Sequence, residues 1–200
     1  FSWRDAIIWC NAASQKAGLE PVYYLEGTTD FSDSSKIVKI AERYTEVYED
    51  GSTCTWGTNS ENPYEADNGE GRAEKCVINT AANGYRLPKL TEWVYAAKGG
   101  KDYKYSGSNN IDEVAWYRNN NGCITHDVGL KKANDYGLND MSGNVCEFCF
   151  CDIVLDSFIS IALGGACNTE AEYCECFTPL NCYPYAVYWE YGMRLARSVQ

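Results

Sequence analysis

Seven of the eleven cysteines in this 200-residue chain fall between Cys146 and Cys182, interleaved with Tyr173, Phe177, Tyr183, Tyr185, Tyr188, Trp189 and Tyr191. A core needs apolar residues at a helical or strand period, and no clear period runs through this segment. Such a stretch suggests a surface chosen for contact, carried on a framework that the rest of the chain specifies. The spacings Cys146-x-x-Cys149-x-Cys151 and Cys174-x-Cys176 are irregular, and His126 is the only histidine. A structural zinc centre wants two well-spaced pairs, or a pair plus histidines, so the composition disfavours one. The odd count leaves at least one thiol unpaired within the monomer. Cys54 and Cys76 flank a polar excursion from Gly57 to Gly71 and would staple it in an oxidising compartment.

The framework reads as one domain over residues 1–200, long enough at 45% hydrophobic content to bury a real core. Ser2 can cap a helix, with Asp5 three residues on as in a capping box and Ala6, Ile7, Trp9, Cys10 and Ala13 as its apolar face. Gly18 would end it. Val22 to Leu25 reads as a short strand, and Ser35 to Tyr48 permits either a helix or a hairpin arm. Residues 49–72 are polar and predict a long exposed loop. A second helix is predicted over Thr91 to Lys98, after Pro88 and before Gly99-Gly100. From Tyr103 onward Gly and Asn clusters predict short strands and turns rather than helices. Trp93 and Trp116 are expected in the core.

Charge narrows the partner. The formal net charge is −11, and after Asn134 nine Asp and Glu face only Arg194 and Arg197. That excludes a nucleic-acid backbone as partner and disfavours anionic membrane surfaces. No apolar run approaches the roughly 20 residues of a membrane helix. The chain opens at Phe1 rather than Met, which reads as a processed form or a fragment that has lost a leader or anchor.

Several motifs follow one another in a fixed order. Ser2-Trp3-Arg4-Asp5-Ala6, Trp9-Cys10-Asn11 and Gly18-Leu19-Glu20-Pro21-Val22-Tyr23 come first. Gly84-Tyr85-Arg86-Leu87-Pro88, Glu92-Trp93, Tyr95-Ala96-Ala97, Gly99-Gly100 and Val114-Ala115-Trp116-Tyr117 follow. Val128-Gly129, the run from Asn134 to Glu147, Gly164-Gly165 and Gly192-Met193-Arg194-Leu195-Ala196 close the series. This set resembles the formylglycine-generating-enzyme/sulfatase-modifying family over essentially the whole chain. The resemblance implies an α+β, C-type-lectin-like irregular domain with two helices, short strands and many loops.

That family contains both enzymes and binders, so the fold leaves function open. Its oxidases hold copper with two cysteines after the Gly-Gly pair, positions that here carry Thr169 and Cys174. Threonine cannot replace a soft thiolate ligand. Cys167, two residues away, would make only a displaced pair, so a copper-dependent oxidase acting on a sulfatase cysteine is the alternative reading and no catalytic residue is assigned. His126-Asp127 has no nucleophile nearby and reads as a surface turn.

The departures from the family pattern are dense in the tail, with Cys146-Glu147-Phe148 and Gly164-Gly165-Ala166-Cys167 in place of tryptophan-bearing motifs. That is similar to the variable proteins of diversity-generating retroelements, treponemal ones included, whose lectin-fold C-termini are rewritten at template adenines. The resemblance implies a receptor displayed at the cell surface, with a hypervariable ligand-binding region over residues 146–191. Randomising an AAC codon at its adenines yields Cys, Tyr, Phe, Ile, Thr, Ser or Leu, among others, and never Lys, Glu, Gln, Met or Trp. The candidate ligand-binding positions are therefore Cys146, Cys151, Ile153, Cys167, Thr169, Cys176, Phe177, Cys182, Tyr183, Tyr185, Tyr188 and Tyr191, while Glu147, Trp189, Glu190 and Met193 count as framework.

Tyrosine offers large contact area with few torsions to freeze, which suits a protein or peptide ligand. The spacing of Tyr185, Tyr188 and Tyr191 also permits a core role. No cofactor is required by this reading. Asp140, Glu147 and the carbonyls of Gly143 and Val145 match a calcium-binding segment of the enzyme relatives, which implies a possible structural Ca2+. A membrane would be reached only through an anchor outside this chain.

Overall fold

The computed structural model describes residues 2–25, 27–38, 44–47, 53–56, 76–150, 160–184 and 187–198, with the backbone alone at 44–47 and 53–56. The chain packs as two compact units, one of residues 1–6 and 87–196, the other of residues 7–86 and 197–200.

Helix α1 (Trp3–Lys16) starts at the expected capping box: the Ser2 amide donates to Asp5 Oδ2 at 2.8 Å and the Asp5 amide to the Ser2 hydroxyl at 3.3 Å. Gly18, at φ 67°, turns the chain out of the helix. In the smaller unit the buried stripe is Ile7, Cys10, Asn11 and Ser14. Trp9 corrects the expected apolar face, because it falls off this stripe and is exposed. Asn11 is tolerated inside because every polar atom is used. Its amide donates to the Tyr23 and Val38 carbonyls at 2.7 and 3.0 Å, and its oxygen accepts from the Val22 and Tyr23 amides.

The same unit holds β1 (Tyr23–Tyr24), β2 (Tyr44–Val47), β3 (Thr53–Trp56), β4 (Val77–Ile78) and β5 (Tyr85–Arg86). The antiparallel pairs are β1–β4 and β2–β3. The β2–β3 ladder selects the hairpin-arm reading for residues 44–47. It also corrects the long loop expected over 49–72, since 53–56 is strand; the rest of that segment lies outside the described residues. So does the Cys54 side chain, and the proposed staple with it.

In the larger unit α2 (Leu90–Lys98) begins where Glu92 accepts from the Lys89 amide at 2.9 Å and ends at Gly99, φ 57°. Asn134 finishes that end, donating to the Ala96 carbonyl at 2.7 Å and accepting from the Tyr136 and Leu138 amides. A short α3 (Ile111–Val114) corrects the expectation of no helix beyond Tyr103; Asn110 caps it by accepting from the Asp112 amide.

Then come β6 (Cys146–Cys149), β7 (Ser160–Leu163), β8 (Leu180–Cys182) and β9 (Tyr191–Met193), joined as a sheet in the order β8-β7-β6-β9. β6 runs antiparallel to β7, β7 antiparallel to β8, and β6 parallel to β9. Among the described residues no helix is long and apolar enough to cross a membrane.

Candidate functional site

The four-stranded sheet sorts the tail onto two faces. On one, Cys149 and Leu163 pack with Trp93 and Ala97 of α2, Met141 and Cys176. Strand alternation sends Cys146 and Phe148 to the other face, where the register places Tyr191 beside Cys146 and Ala162 beside Phe148. There the Phe148 and Tyr191 rings lie 5.3 Å apart, and Tyr191 and Tyr188 5.0 Å apart, a run of rings from the interior to the surface. Ser160 Oγ sits 3.1 Å from Cys182 Sγ, closing the β7–β8 end of this face.

The predicted ligand-binding positions divide by depth. Phe177 is 63% exposed, Tyr183 49% and Tyr188 36%, with Trp189 at 61% beside them in sequence. Thr169 and Tyr191 are half-buried. Cys151, Ile153 and Tyr185 lie outside the described residues. Cys146, Cys167, Cys176 and Cys182 are buried, which corrects their placement on an exposed face. Thiols pack as small apolar groups, and these four fill the interior, Cys176 on the α2 face of the sheet and Cys146 on the opposite one. Burial pushes the thiols of Cys176 and Cys182 up to about 11, so they are protonated and unreactive near neutrality. Trp189 escapes codon reasoning, since a residue that adenine mutagenesis cannot produce can still stand on the surface.

The Gly143-Asn144 turn organises the other end of the site. A Cβ on Gly143, at φ 76°, would run into the Trp116 carbonyl. Asn144, itself at φ 64°, donates its amide to the Trp116 carbonyl at 2.7 Å and accepts from the Cys167 amide at 2.9 Å. Its side chain accepts from the His126 amide at 3.0 Å and donates to the His126 carbonyl at 3.1 Å. His126 is thereby held half-buried and stacked on Trp116, centroids 4.0 Å apart, within a segment whose neighbours Thr125 and Asp127 are exposed, in keeping with the surface turn expected. Trp116 is half-buried rather than core, with the Lys131 ammonium 3.9 Å over its ring.

Glu147 is the buried anchor of the sheet. Its carboxylate accepts from Trp93 Nε1 at 2.7 Å and from Arg194 Nε and Nη2 at 3.0 and 2.8 Å. Burial raises its pKa, against the pull of Arg194. Asp140, the other carboxylate of the expected calcium segment, is buried at φ 57°. Its Oδ2 accepts from the Gly129 amide at 2.7 Å, while Oδ1 is enclosed with no hydrogen-bond donor. Asp140 Oδ1 is the one oxygen of these two carboxylates without a donor, since Arg194 and Trp93 occupy both Glu147 oxygens, so a hard cation held here would rest on Asp140.

The positions that carry copper in the oxidases adjoin. Thr169 Oγ1 lies 3.7 Å from Cys174 Sγ, and both press on Gly165, where a Cβ would come within 2.9 Å of the hydroxyl and 2.8 Å of the sulfur. Cys174 is buried in a cluster with Tyr105, Val114, Ala115 and Tyr117, and burial raises its thiol to about 11. Among the described residues no group of three or more His, Cys, Asp or Glu is placed to hold a metal ion.

A profile of the sulfatase-modifying factor enzyme 1-like domain matches residues 1–199. The chain is 37% identical over 169 residues to the chaperone protein LppX of Paenibacillus barcinonensis, covering 74% of this chain and 49% of that protein. The chain therefore spans about half the length of this curated relative. Among solved structures it is similar to Treponema denticola variable protein 1, at 31% identity and TM-score 0.71 over 98% of this chain and 69% of that one. It is also similar to CarF, at 25% identity and TM-score 0.68 over 100% of this chain and 66% of that one.

Proposed function

This chain belongs to the sulfatase-modifying-factor family and has its C-type-lectin-like fold, and we propose that it serves there as a binder rather than an enzyme. The binding face is the outer part of the tail, diversified over residues 146–191 and displayed at the cell surface on an anchor outside this chain. Its ligand is a protein or peptide. The observation that carries this reading is the set of large rings left open to solvent in one segment, Phe177, Tyr183, Tyr188 and Trp189, while Cys176 and Cys182 beside them in sequence are buried. Rings of this kind dominate protein-recognition surfaces because they bury large area at little entropic cost. Similarity to a variable protein supports the same reading.

The chemistry of the Thr169–Cys174 contact also favours it. Copper oxidation in this family uses two thiolates, and here one position is a hydroxyl and the other a protonated, sealed thiol. The test is selection of peptides from a display library on the folded protein. Trp189→Ala and Tyr188→Ala are expected to weaken the selected peptides roughly 30-fold each, about 2 kcal/mol, with unchanged unfolding midpoints. Peptides indifferent to both substitutions, or aldehyde formed at catalytic turnover on a sulfatase cysteine peptide with Cu(I), would overturn the proposal.

The proposal includes a structural calcium ion at Asp140. Calcium at millimolar concentration is expected to raise the thermal midpoint of chelator-treated protein by several degrees, on the order of 1–2 kcal/mol by binding linkage. Asp140→Ala should abolish the shift and Asp140→Asn retain part of it, because the amide keeps an oxygen ligand. Identical melting curves with calcium and with EDTA would remove the ion from this account.

A further inference from the structure

Tyr95 and Tyr136 meet hydroxyl to hydroxyl on an open surface. Tyr95 belongs to α2 and is 69% exposed; Tyr136, 46% exposed, lies in the turn that finishes that helix. The Tyr136 hydroxyl donates to the Tyr95 oxygen at 3.0 Å, and the ring centroids are 5.6 Å apart. In a phenol the ortho carbons flank the carbon that bears oxygen. An oxygen contact this short between rings this close therefore brings ortho carbons of the two rings near one another.

The contact is organised from both sides. Asn134 donates to the Ala96 and Ala97 carbonyls at 2.7 and 3.3 Å, next to Tyr95 in α2, and accepts from the Tyr136 amide at 3.0 Å. The Tyr136 phenol rests on Gly100, where a Cβ would come 3.3 Å from the hydroxyl and 3.6 Å from Cε1. Two phenols held in one place react with each other far faster than with a second molecule. Tyr188 and Tyr191 stack closer, at 5.0 Å, but Tyr191 is half-buried against Phe148 and less open to an oxidant. The described residues form no disulfide among themselves, so no covalent bond besides the chain itself ties α2 to this turn.

We propose that Tyr95 and Tyr136 are an oxidative cross-linking site, joined as dityrosine by hydrogen peroxide and a haem peroxidase, which staples α2 to the turn after Asn134. Each phenol gives up one electron and one proton, and together they reduce one peroxide to two waters. The two phenoxyl radicals then couple through ortho carbons, forming one carbon–carbon bond. Each ring returns its displaced ortho hydrogen to its own oxygen through solvent and regains aromaticity. The protein loses two hydrogens and keeps both hydroxyls. The new bond closes a loop between residues 41 apart, which removes freedom from the unfolded chain as a disulfide does.

The test treats the folded protein with a haem peroxidase and limiting peroxide, after iodoacetamide has blocked the exposed Cys123. Blue dityrosine fluorescence is expected in the monomer band of a denaturing gel. Mass spectrometry should show the loss of two hydrogens and one cross-linked peptide pair carrying Tyr95 and Tyr136. Tyr95→Phe and Tyr136→Phe should each cut the monomer signal roughly tenfold, whereas Tyr173→Phe and Tyr188→Phe should change it less than about twofold. Treated protein should melt several degrees higher than untreated, and treated Tyr95→Phe should not. Peptide mapping of the parent protein decides the site even if a variant folds poorly. Dityrosine found chiefly between molecules, or joining Tyr188 to Tyr191, would overturn the site. A cross-linked monomer with an unchanged midpoint would overturn the staple.

Discussion

Raising the pH from 8 to 10 is expected to strip roughly 5 kcal/mol from the stability of this protein, a large share of what an ordinary domain has. Burial holds Cys10 near 12 and Cys174, Cys176 and Cys182 near 11, against 9.0 for a free thiol. The folded form therefore keeps protons that the unfolded chain releases. Stability from each thiol is fully present below the unfolded value of 9.0 and is lost as pH rises toward the folded value, at up to about 1.4 kcal/mol per pH unit. Burial raises Cys146 and Tyr191 as well, which steepens the loss further.

Urea midpoints at pH 8, 9 and 10 read the slope directly. Cys182→Ala should flatten it by the share of one thiol. Iodoacetamide at pH 8 should label the exposed Cys123 well before Cys146, Cys174 or Cys182. A midpoint that stays level from pH 8 to 10 would mean that the thiols are open to water in the folded protein.

Arg194→Met is expected to cost about 3–5 kcal/mol and to lower the melting temperature by roughly 10 °C or more. It strands the Glu147 charge inside the sheet, with Trp93 as its remaining donor. It also frees the Asn139 carbonyl, which Arg194 Nη2 holds at 2.9 Å. The double variant Glu147→Leu/Arg194→Met should recover part of the loss, because a buried pair replaced by apolar groups is often near neutral whereas half a pair is not.

The pH dependence has a definite sign. Burial already raises the folded Glu147 pKa above the unfolded 4.5, so its favourable share of stability is present below 4.5 and lost as pH rises through the folded value. Without Arg194 the rise is larger, so the penalty of Arg194→Met should shrink as the pH falls toward 5. A penalty under 1 kcal/mol, or one independent of pH, would show that the carboxylate is hydrated in the folded protein.

The parts of this fold that were legible in the sequence are those whose local chemistry has one solution. Ser2 and Asp5 had to cap α1, and Gly99 had to end α2. The thiols were not legible, because cysteine is small enough for either side of a strand and β6 is buried on both faces, so no alternation marks it. Trp9 and Trp116 were misread for the opposite reason: a large ring looks like core, and only tertiary packing decides. α3 was missed because one helical turn leaves no period to detect, although Asn110 before Asp112 was a usable sign of a cap.

The parallel pairing of β6 with β9 brings Cys146 beside Tyr191, residues that open and close the region proposed to vary. That region is in effect a purse whose drawstring is tied by the backbone ladder and by Glu147 with Arg194. Should side chains between the two ends be exchanged, the backbone ladder and the Glu147–Arg194 pair would still bring those ends together, so the loop-closure cost would not depend on what lies between them.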